Sequence, residues 1–143
     1  MTPCSLSSAR LALDYMANTA CSQPGADAGE FRLHRNGRPI GTVSLVGNGA
    51  SQAVVGFRID LEFQRQGFAS EALGAIAAAA PRFGLSVLIA NCRSTNAASR
   101  RVLEKAGFAL ISSVPFAATG RDSAVQYMVY RRSVPSYILL QKV

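Results

Sequence analysis

The chain has 143 residues, a length that suits one folded domain with a core of its own. Apolar residues make up 49% and charged residues 16%, a composition that excludes an intrinsically disordered chain. Fifteen Lys and Arg against eight Asp and Glu give a formal net charge of +7. An anionic cofactor, an acidic protein surface or nucleic acid could each explain that charge.

Cellular context is predicted from what the chain lacks. No apolar stretch reaches the 18 or more uncharged residues that a membrane-spanning helix needs, so no membrane partner is expected. The N-terminus shows no long apolar core before a cleavage site, so we expect no signal peptide. Cys4, Cys21 and Cys92 match no zinc spacing, and only His34 could add an imidazole, so no metal site is expected. Free thiols and a cytoplasmic location are the resulting predictions.

The start of the chain predicts a strand followed by a loop. Leu11, Leu13 and Tyr15 alternate with other residues, which is the period of a half-buried strand. A short helix beginning behind Ser7 or Ser8 remains an alternative for the same residues. The stretch from Asn18 to Gly29 contains Pro and Gly among small polar residues and predicts a loop.

Three further strands are predicted as an antiparallel meander. Phe31 and Leu33 lead to Asn36-Gly37, the strongest short signal for a β-hairpin. Apolar residues from Ile40 to Val46 then form the returning strand, and Gln52 to Asp60 forms the third. A meander of this kind buries one face of its sheet.

A strand–helix–strand unit follows the meander. Ser70 to Ala80 is an Ala-rich helical run whose apolar face comprises Leu73, Ile76, Ala77 and Ala80. Pro81 to Gly84 predicts a break, and Leu85 to Ala90 reads as a strand that is buried on both faces. Because a helix connects them, this strand and the last strand of the meander should be parallel.

The end of the chain predicts a second helix and a pair of strands. Asn96 is a good N-cap, and Gly107 a good residue just after the helix, with Phe108 folding back on it. Val114 to Phe116 and Val125 to Tyr130 then complete a hairpin-like pair.

The most informative motif lies between the third meander strand and the first helix. It reads Gln64-Arg65-Gln66-Gly67-Phe68-Ala69. A glycine lets the backbone approach a ligand, and the first turn of a helix offers unpaired N–H groups and a positive dipole end. With the cation of Arg65 beside them, these features predict a phosphate-binding loop. The alternative is a tight bend that Gly67 merely relieves.

Together with Asn91 to Phe108, this loop resembles the GNAT acetyltransferase superfamily, which moves an acetyl group from acetyl-coenzyme A to an amine. Its pyrophosphate-loop pattern is matched by Gln64, Gly67 and Ala69. The branch that acetylates ribosomal-protein N-termini is resembled by Asn96, Ser99, Arg101 and the stretch from Val102 to Phe108. The similarity is strong from Val54 to about Leu110 and weaker from Phe31 to about Arg131.

The resemblance implies an α/β fold of the GNAT type over residues 1–143 as a single domain. Its elements would be an antiparallel meander, a βαβ unit whose two strands splay apart, a second helix and a C-terminal hairpin. The splayed strands would admit the pantetheine arm of the coenzyme, because an amide-containing arm needs exposed backbone donors and acceptors.

The resemblance also implies the residues that hold acetyl-coenzyme A as co-substrate. Main-chain contacts to pantetheine would come from Phe57, Arg58 and Ile59. N–H groups for the pyrophosphate would come from Arg65, Gln66, Gly67, Phe68, Ala69 and Ser70. Further contacts would come from the side chains of Arg65 and Arg101 to phosphates, and from Asn96 and Ser99 to the coenzyme arm. A surface role is the alternative for Arg65, Arg101 and Ser99, and the role of a helix cap alone is the alternative for Asn96.

No catalytic residue is predicted, because the chain departs from the superfamily at both usual positions. Leu103 stands where a tyrosine acid is common, and Ala53 and Val54 stand where a glutamate base is common. Several other polar residues are expected to be structural. They are Glu62 before the loop, Cys92 as a small core residue with a nucleophile as the alternative, and Tyr127 and Tyr130 as packing residues. A place in the acceptor pocket is the alternative for one of the two tyrosines. His34, beside the hairpin turn, is expected to be exposed.

The region between the first two predicted strands is also unusual. The superfamily places two helices there, and the stretch from Ala17 to Glu30 is too short for both. The acceptor side would therefore be open, or completed by a second subunit in a homodimer. The amine acceptor could be a protein N-terminus, a polyamine, an aminoglycoside or a small metabolite.

Three functions are therefore compared. The first is an acetyl-coenzyme A-dependent N-acetyltransferase with direct transfer. The second is a coenzyme A-binding module without catalysis, which the two apolar positions suggest. Nucleic-acid binding is the third and has the least support, since no aromatic RNA-binding motif or zinc-finger spacing is present.

Overall fold

A computed structural model describes residues 5–17, 28–49, 51–115 and 125–134. Its strands are β1 Ser5–Ser7, β2 Ala12–Ala17, β3 Ala28–Arg35, β4 Arg38–Gly47, β5 Gln52–Ile59, β6 Val87–Arg93, β7 Ala109–Pro115 and β8 Gln126–Ser133. Its helices are α1 Phe68–Ala79 and α2 Ala97–Lys105. Within the described ranges, the strands form one mixed sheet in the order β1-β2-β3-β4-β5-β6-β8-β7.

Strands β1 to β5 form an antiparallel meander, as predicted from Phe31 onwards. Asn36 and Gly37 connect β3 to β4 with φ values of +53° and +80°. Positive φ at both central residues is what a two-residue hairpin turn of type I′ requires. The strand prediction around Leu13 is confirmed, and the helix alternative for that segment is wrong. β1 was not predicted, because three residues are too short to show a period.

One boundary in this half of the chain differs from prediction. β3 begins at Ala28, so the predicted loop, which was extended to Gly29, ends earlier. The rest of that loop, like Cys4, Cys21 and Phe116, lies outside the described residues.

The βαβ unit is confirmed, and β5 and β6 are parallel. α1 begins at Phe68, two residues earlier than predicted, because Gly67 with φ +83° already acts as its N-cap. A short 3-10 turn over Ala80–Phe83 then leads to β6. β6 extends to Arg93, so Cys92 lies within the strand. Ile89 is only half-buried, which corrects the prediction that both faces of this strand are fully covered.

α2 has the ends that its sequence predicts. The N–H of Ser99 donates to the Asn96 side-chain oxygen at 3.1 Å. At the other end, the N–H of Gly107 donates to the carbonyl of Glu104 and the N–H of Phe108 to that of Leu103. This pair of bonds is the Schellman motif, which requires the left-handed φ of +88° at Gly107.

A C-terminal strand pair is present as predicted, but β7 begins at Ala109 and not at Val114, and the placement of the pair in the sheet is unexpected. β7 and β8 are antiparallel, but β8 lies between β6 and β7. β7 is therefore the edge strand, and its residues are exposed throughout.

The core lies on one face of the sheet. Leu13, Phe31, Val43 and Val55 point to that face and pack in one cluster with the apolar side of α1. α2 adds Leu103 to the same cluster, so both helices cover the same side of the sheet. The opposite face carries a cross-strand row of polar residues, and nothing among the described residues packs over it as a layer. No described helix has the length and apolarity that crossing a bilayer requires.

The start of α1 is tied to the turn between β1 and β2. The Glu71 carboxylate accepts hydrogen bonds from the Ser8 hydroxyl, from the Arg10 backbone N–H at 2.9 Å and from Arg10 Nε at 2.7 Å. Burial by itself raises the pKa of Glu71, but these hydrogen bonds and the Arg10 charge outweigh it and lower the pKa below its ordinary value. The ionised carboxylate is therefore the form that holds the two segments together.

We expect Glu71→Gln to reduce stability at neutral pH but not in acid. Because the folded-state pKa is lowered, the stabilisation is present above the ordinary pKa of a glutamate and is lost as the pH falls through the folded-state value. At pH 7 the variant should lose roughly 1 kcal/mol, since the ion pair is partly exposed. Urea unfolding of both proteins between pH 3 and pH 7 measures this difference.

Glu104→Gln is the matched control, because Glu104 is exposed on α2 and forms no ion pair among the described residues. Its stability difference from wild type should be small at every pH. A Glu71→Gln difference that stayed constant down to pH 3 would contradict the stabilising role of the carboxylate.

Candidate functional site

The loop between β5 and α1 has two residues in the left-handed conformation. Arg65 has φ +63° and Gly67 has φ +83°. The left-handed region costs a residue with a side chain about 1 kcal/mol or more, so Arg65 is held there by its surroundings. Two amide side chains brace the loop, since Gln64 Nε2 donates to the Ile59 carbonyl at 2.9 Å and Gln66 Nε2 to the Glu62 carbonyl at 3.3 Å.

The loop presents backbone N–H groups that the helix itself does not use. The first bond of α1 runs from the N–H of Glu71 to the carbonyl of Gly67 at 3.0 Å. The N–H groups of Phe68, Ala69 and Ser70 precede it and have no acceptor within the helix. No side chain caps this end of the helix. These donors and the helix dipole make the position favourable for an anion.

Two cations stand next to the same loop. A Cβ added at Gly67 would lie 3.4 Å from Arg10 Nη2 and 3.6 Å from Lys105 Nζ. Arg10 also donates to the Gln66 carbonyl at 3.1 Å, and its guanidinium lies 4.3 Å from the centre of the Phe68 ring. The sequence carries no local signal for either cation, because they come from the turn after β1 and from the end of α2.

A gap opens between β5 and β6 beyond the loop. Their pairing ends at Val55 and Ala90, although β5 continues to Ile59 and β6 to Arg93. The predicted splaying of these strands is therefore present. The backbone of β5 has no strand partner on this side over residues 56–59.

The alternation of the antiparallel ladder decides which backbone groups face the gap. The N–H of Asp60 donates to the Ile40 carbonyl of β4 at 2.8 Å, so the main-chain groups of Arg58 also point to β4. Those of Phe57 and Ile59 point into the gap. This corrects the prediction that Arg58 offers main-chain contacts there. Since the Ile59 carbonyl already accepts from Gln64, its N–H is the group left for a ligand.

The start of α2 lies after β6, at the far side of the gap. The Asn96 cap uses only the side-chain oxygen, so its amide donors are left for other contacts. Ser99 is half-buried one turn further on, and Arg101 is exposed with Nε 3.5 Å from the Ala97 carbonyl of its own helix. Arg100, which the sequence does not single out, donates from Nε to the Tyr130 hydroxyl at 3.1 Å and so joins α2 to β8.

The positions of the usual acid and base are apolar in space as well as in sequence. Leu103 is completely buried in the core, as is Ala53, and Val54 is half-buried. Cys92 is 8% exposed, and burial raises the pKa of its thiol more than the nearby Arg100 charge lowers it. A protonated, buried thiol is a poor nucleophile, which fits the predicted role of Cys92 as a core residue.

The remaining polar candidates divide into confirmed and corrected predictions. Tyr130 is buried, as predicted, and Glu62 pairs with Arg38 at 2.8 Å, which fits a structural role. Tyr127 is 38% exposed, so it lies at the surface and not in the core. The prediction that His34 is exposed is wrong, because its side chain is only 27% exposed and its Nδ1 lies 3.5 Å from an Asp14 carboxylate oxygen. In the part of the chain that the structure describes, no group of acidic, Cys and His residues could hold a metal ion.

Comparison with known structures shows which fold this is. The structure is similar to RimL, the ribosomal L7/L12 alpha-N-protein acetyltransferase in complex with coenzyme A, with 23% identity, a TM-score of 0.67 and coverage of 76% of this chain and 63% of that one. A Salmonella typhimurium acetyltransferase that modifies the N-terminal serine of L7/L12 gives 23% identity and a TM-score of 0.68, and the match covers 77% of this chain and 66% of that one. The microcin C7 self-immunity acetyltransferase MccE, in complex with acetyl-CoA and AMP, is 18% identical and has a TM-score of 0.66. The match covers 76% of this chain and 62% of that one.

This chain therefore spans less than two thirds of the length of each of these three proteins. No curated protein sequence gave a match. The family model described as Acetyltransferase (GNAT) domain matches residues 3–109, which include both predicted motifs. The chain belongs to the GNAT acetyltransferase family.

Proposed function

We propose that this protein, as one domain over residues 1–143, transfers an acetyl group from acetyl-coenzyme A to a primary amine. The observation that carries the proposal is the loop at the start of α1. Three unpaired N–H groups and the cations of Arg10 and Lys105 converge there. Charge-assisted hydrogen bonds of this kind suit the pyrophosphate of coenzyme A better than any neutral ligand.

The gap between β5 and β6 would hold the pantetheine arm. The main-chain groups of Phe57 and Ile59 face it from one side, and Asn96 and Ser99 begin α2 on the other. A strand-like arm can then pair with β5 where β6 has moved away. Arg101, exposed on α2, would act in the phosphate region.

The transfer needs no acyl-enzyme intermediate. The lone pair of the neutral amine attacks the thioester carbon, a C–N bond forms, and the C–S bond breaks with its electron pair going to sulfur. The proton released by the nitrogen ends on the thiolate of coenzyme A. The N–H of Ile59 would stabilise the negative charge that develops on the carbonyl oxygen. Because Leu103 and Val54 cannot exchange protons, these transfers would pass through ordered water or a backbone carbonyl.

A coenzyme A-binding module without catalysis is the second candidate, and the apolar positions of Leu103 and Val54 favour it. Release of coenzyme A thiol in the presence of a panel of primary amines separates the two functions. Tight binding of coenzyme A with no thiol release from any amine would favour the module.

We expect Gly67→Ala to abolish the stabilisation of the protein by coenzyme A. The new methyl group would face the cations and occupy the anion position, and the left-handed φ would cost about 1 kcal/mol in the free protein. In wild type, coenzyme A at 100 times its Kd should stabilise the fold by about 2.7 kcal/mol. Thermal unfolding with and without coenzyme A measures both effects.

Gly84→Ala is the matched control, because Gly84 has φ +78° and open space around it, far along the chain from the loop. It should lose similar intrinsic stability and keep the full coenzyme A shift. Equal shifts in wild type and Gly67→Ala would contradict the proposed pyrophosphate site.

We expect Asn96→Asp to preserve α2 while weakening coenzyme A binding about tenfold, the effect of about one hydrogen bond. Asp caps a helix as well as Asn, but it has no amide donor and adds a negative charge. Calorimetric titration with coenzyme A measures the affinity, and helicity by circular dichroism serves as the control. Unchanged affinity would leave Asn96 with the role of a cap alone.

We expect Cys92→Ala to keep the rate of acetyl transfer within about a factor of two, because direct transfer needs no nucleophilic side chain. Steady-state kinetics with the best amine substrate measures this. Mass spectrometry of the quenched reaction tests the alternative. An acetylated Cys92 that forms and decays at the catalytic rate would overturn direct transfer.

A further inference from the structure

A depression of about 450 Å³ lies on the open face of the sheet, across β3, β4 and β5. It is lined by Pro39, Gly41 and Thr42 of β4 and by the charged residues Glu30, Arg32, Arg58 and Asp60. A volume of this size is within the range of small-molecule sites. None of these four charged side chains has a role in the core, which lies on the other face.

The register of the strands explains why these charges share one surface. Arg32 pairs with Thr42, and Thr42 pairs with Arg58, so two guanidinium groups flank one threonine on the same face. A Cβ at Gly41 would lie 2.2 Å from the Arg58 carbonyl oxygen, so the backbones of β4 and β5 approach each other closely beside this row.

The four charges are not paired with one another. Among the described residues, ion pairs join Arg10 to Glu71 and Arg38 to Glu62, and His34 Nδ1 lies 3.5 Å from an Asp14 carboxylate oxygen. Two carboxylates and two guanidinium groups thus face the depression without such a partner. A ligand that carries both an ammonium group and a carboxylate would pair with the carboxylates and with the guanidinium groups, whereas a purely cationic ligand would leave the two arginines without a partner.

The depression adjoins the place where the thioester would lie. Arg58 belongs to the part of β5 that extends beyond its pairing with β6, and its neighbours Phe57 and Ile59 face the gap. An amine held beside Arg58 and Asp60 is thereby close to the strand edge that would bind pantetheine. An acceptor site in this position rests on the proposed function.

We infer that the acceptor is a small amine that carries a carboxylate, an amino acid or a compound of that class, and that it binds in this depression. Arg32 and Arg58 hold the carboxylate through bidentate hydrogen bonds. Glu30 and Asp60 attract the ammonium form, which must lose a proton before it attacks. Arg32 is a specificity-determining residue that takes no part in the acetyl transfer itself.

Two measurements on the full chain test the inference. The first is calorimetric binding of each common L-amino acid, and of its α-carboxamide, to the protein saturated with coenzyme A. The second is thiol release from acetyl-coenzyme A with the same compounds, with spermidine and with a C-terminally blocked peptide. We expect at least one amino acid to bind, and its kcat/KM to exceed that of its carboxamide at least tenfold.

Arg32→Gln should remove this preference, lowering kcat/KM about tenfold or more for the amino acid and less than twofold for the carboxamide. Arg82→Gln is the matched control, because Arg82 is exposed on the turn after α1 and outside the depression. Coenzyme A affinity should be unchanged in both variants, which shows that each is folded.

The outcomes separate the inference from the proposed function. Amino acids that bind without any thiol release would contradict acetyl transfer and leave the site in place. Failure of every amino acid to bind would overturn the inference, whichever amine is acetylated. A carboxamide, spermidine or blocked peptide that reacts as well as the best amino acid would overturn it as well, as would an Arg32→Gln variant with unchanged preference.

Discussion

The candidate site depends on one constraint, the early end of pairing between the two parallel strands. β5 and β6 share only the pairs from Gln52–Val87 to Val55–Ala90. Past that point, β5 keeps its ladder with β4, and β6 keeps its ladder with β8, so each strand remains fixed while their facing edges are free. Backbone groups with no partner in the sheet need one from a ligand or from water. The gap follows from this separation, and the loop at the start of α1 and the charged depression on β3 to β5 lie beside it.

The fold was predictable where the sequence shows a period or a specific turn residue. Asn36-Gly37 gave the hairpin, the alternation around Leu13 gave a strand, and the cap residues Asn96 and Gly107 gave both ends of α2. Boundaries were missed where a backbone conformation decides them. α1 begins two residues early because Gly67 adopts a left-handed conformation, which no propensity scale reports. The position of β8 between β6 and β7 is a long-range choice with no local signal.

The candidate site was predictable only in its contiguous part. The loop from Arg65 to Ser70 is a motif in the sequence, and its position at the start of α1 follows directly. Arg10, Lys105 and the charged row across β3 to β5 come from separate segments, and only the register brings them together. Register also sets the direction of the main-chain groups. Those of Arg58 therefore point to β4, although those of its neighbours point into the gap. The surroundings of the His34 and Tyr127 side chains were not predicted for the same reason, because neighbouring strands determine how much of each side chain is exposed.

The contact between Arg10 and Glu71 joins residues 61 positions apart, and Lys105 adds a third segment to the same point. Contacts of such sequence separation form slowly, because the loop they close must first lose its entropy. The loop at the start of α1 therefore acquires these cations only after the turn after β1 and the end of α2 have docked against it. During synthesis on the ribosome, the emerging chain would contain Gly67 well before it contains Lys105. A ligand that contacts the loop and both cations would then bind the fully folded chain and no shorter folding intermediate.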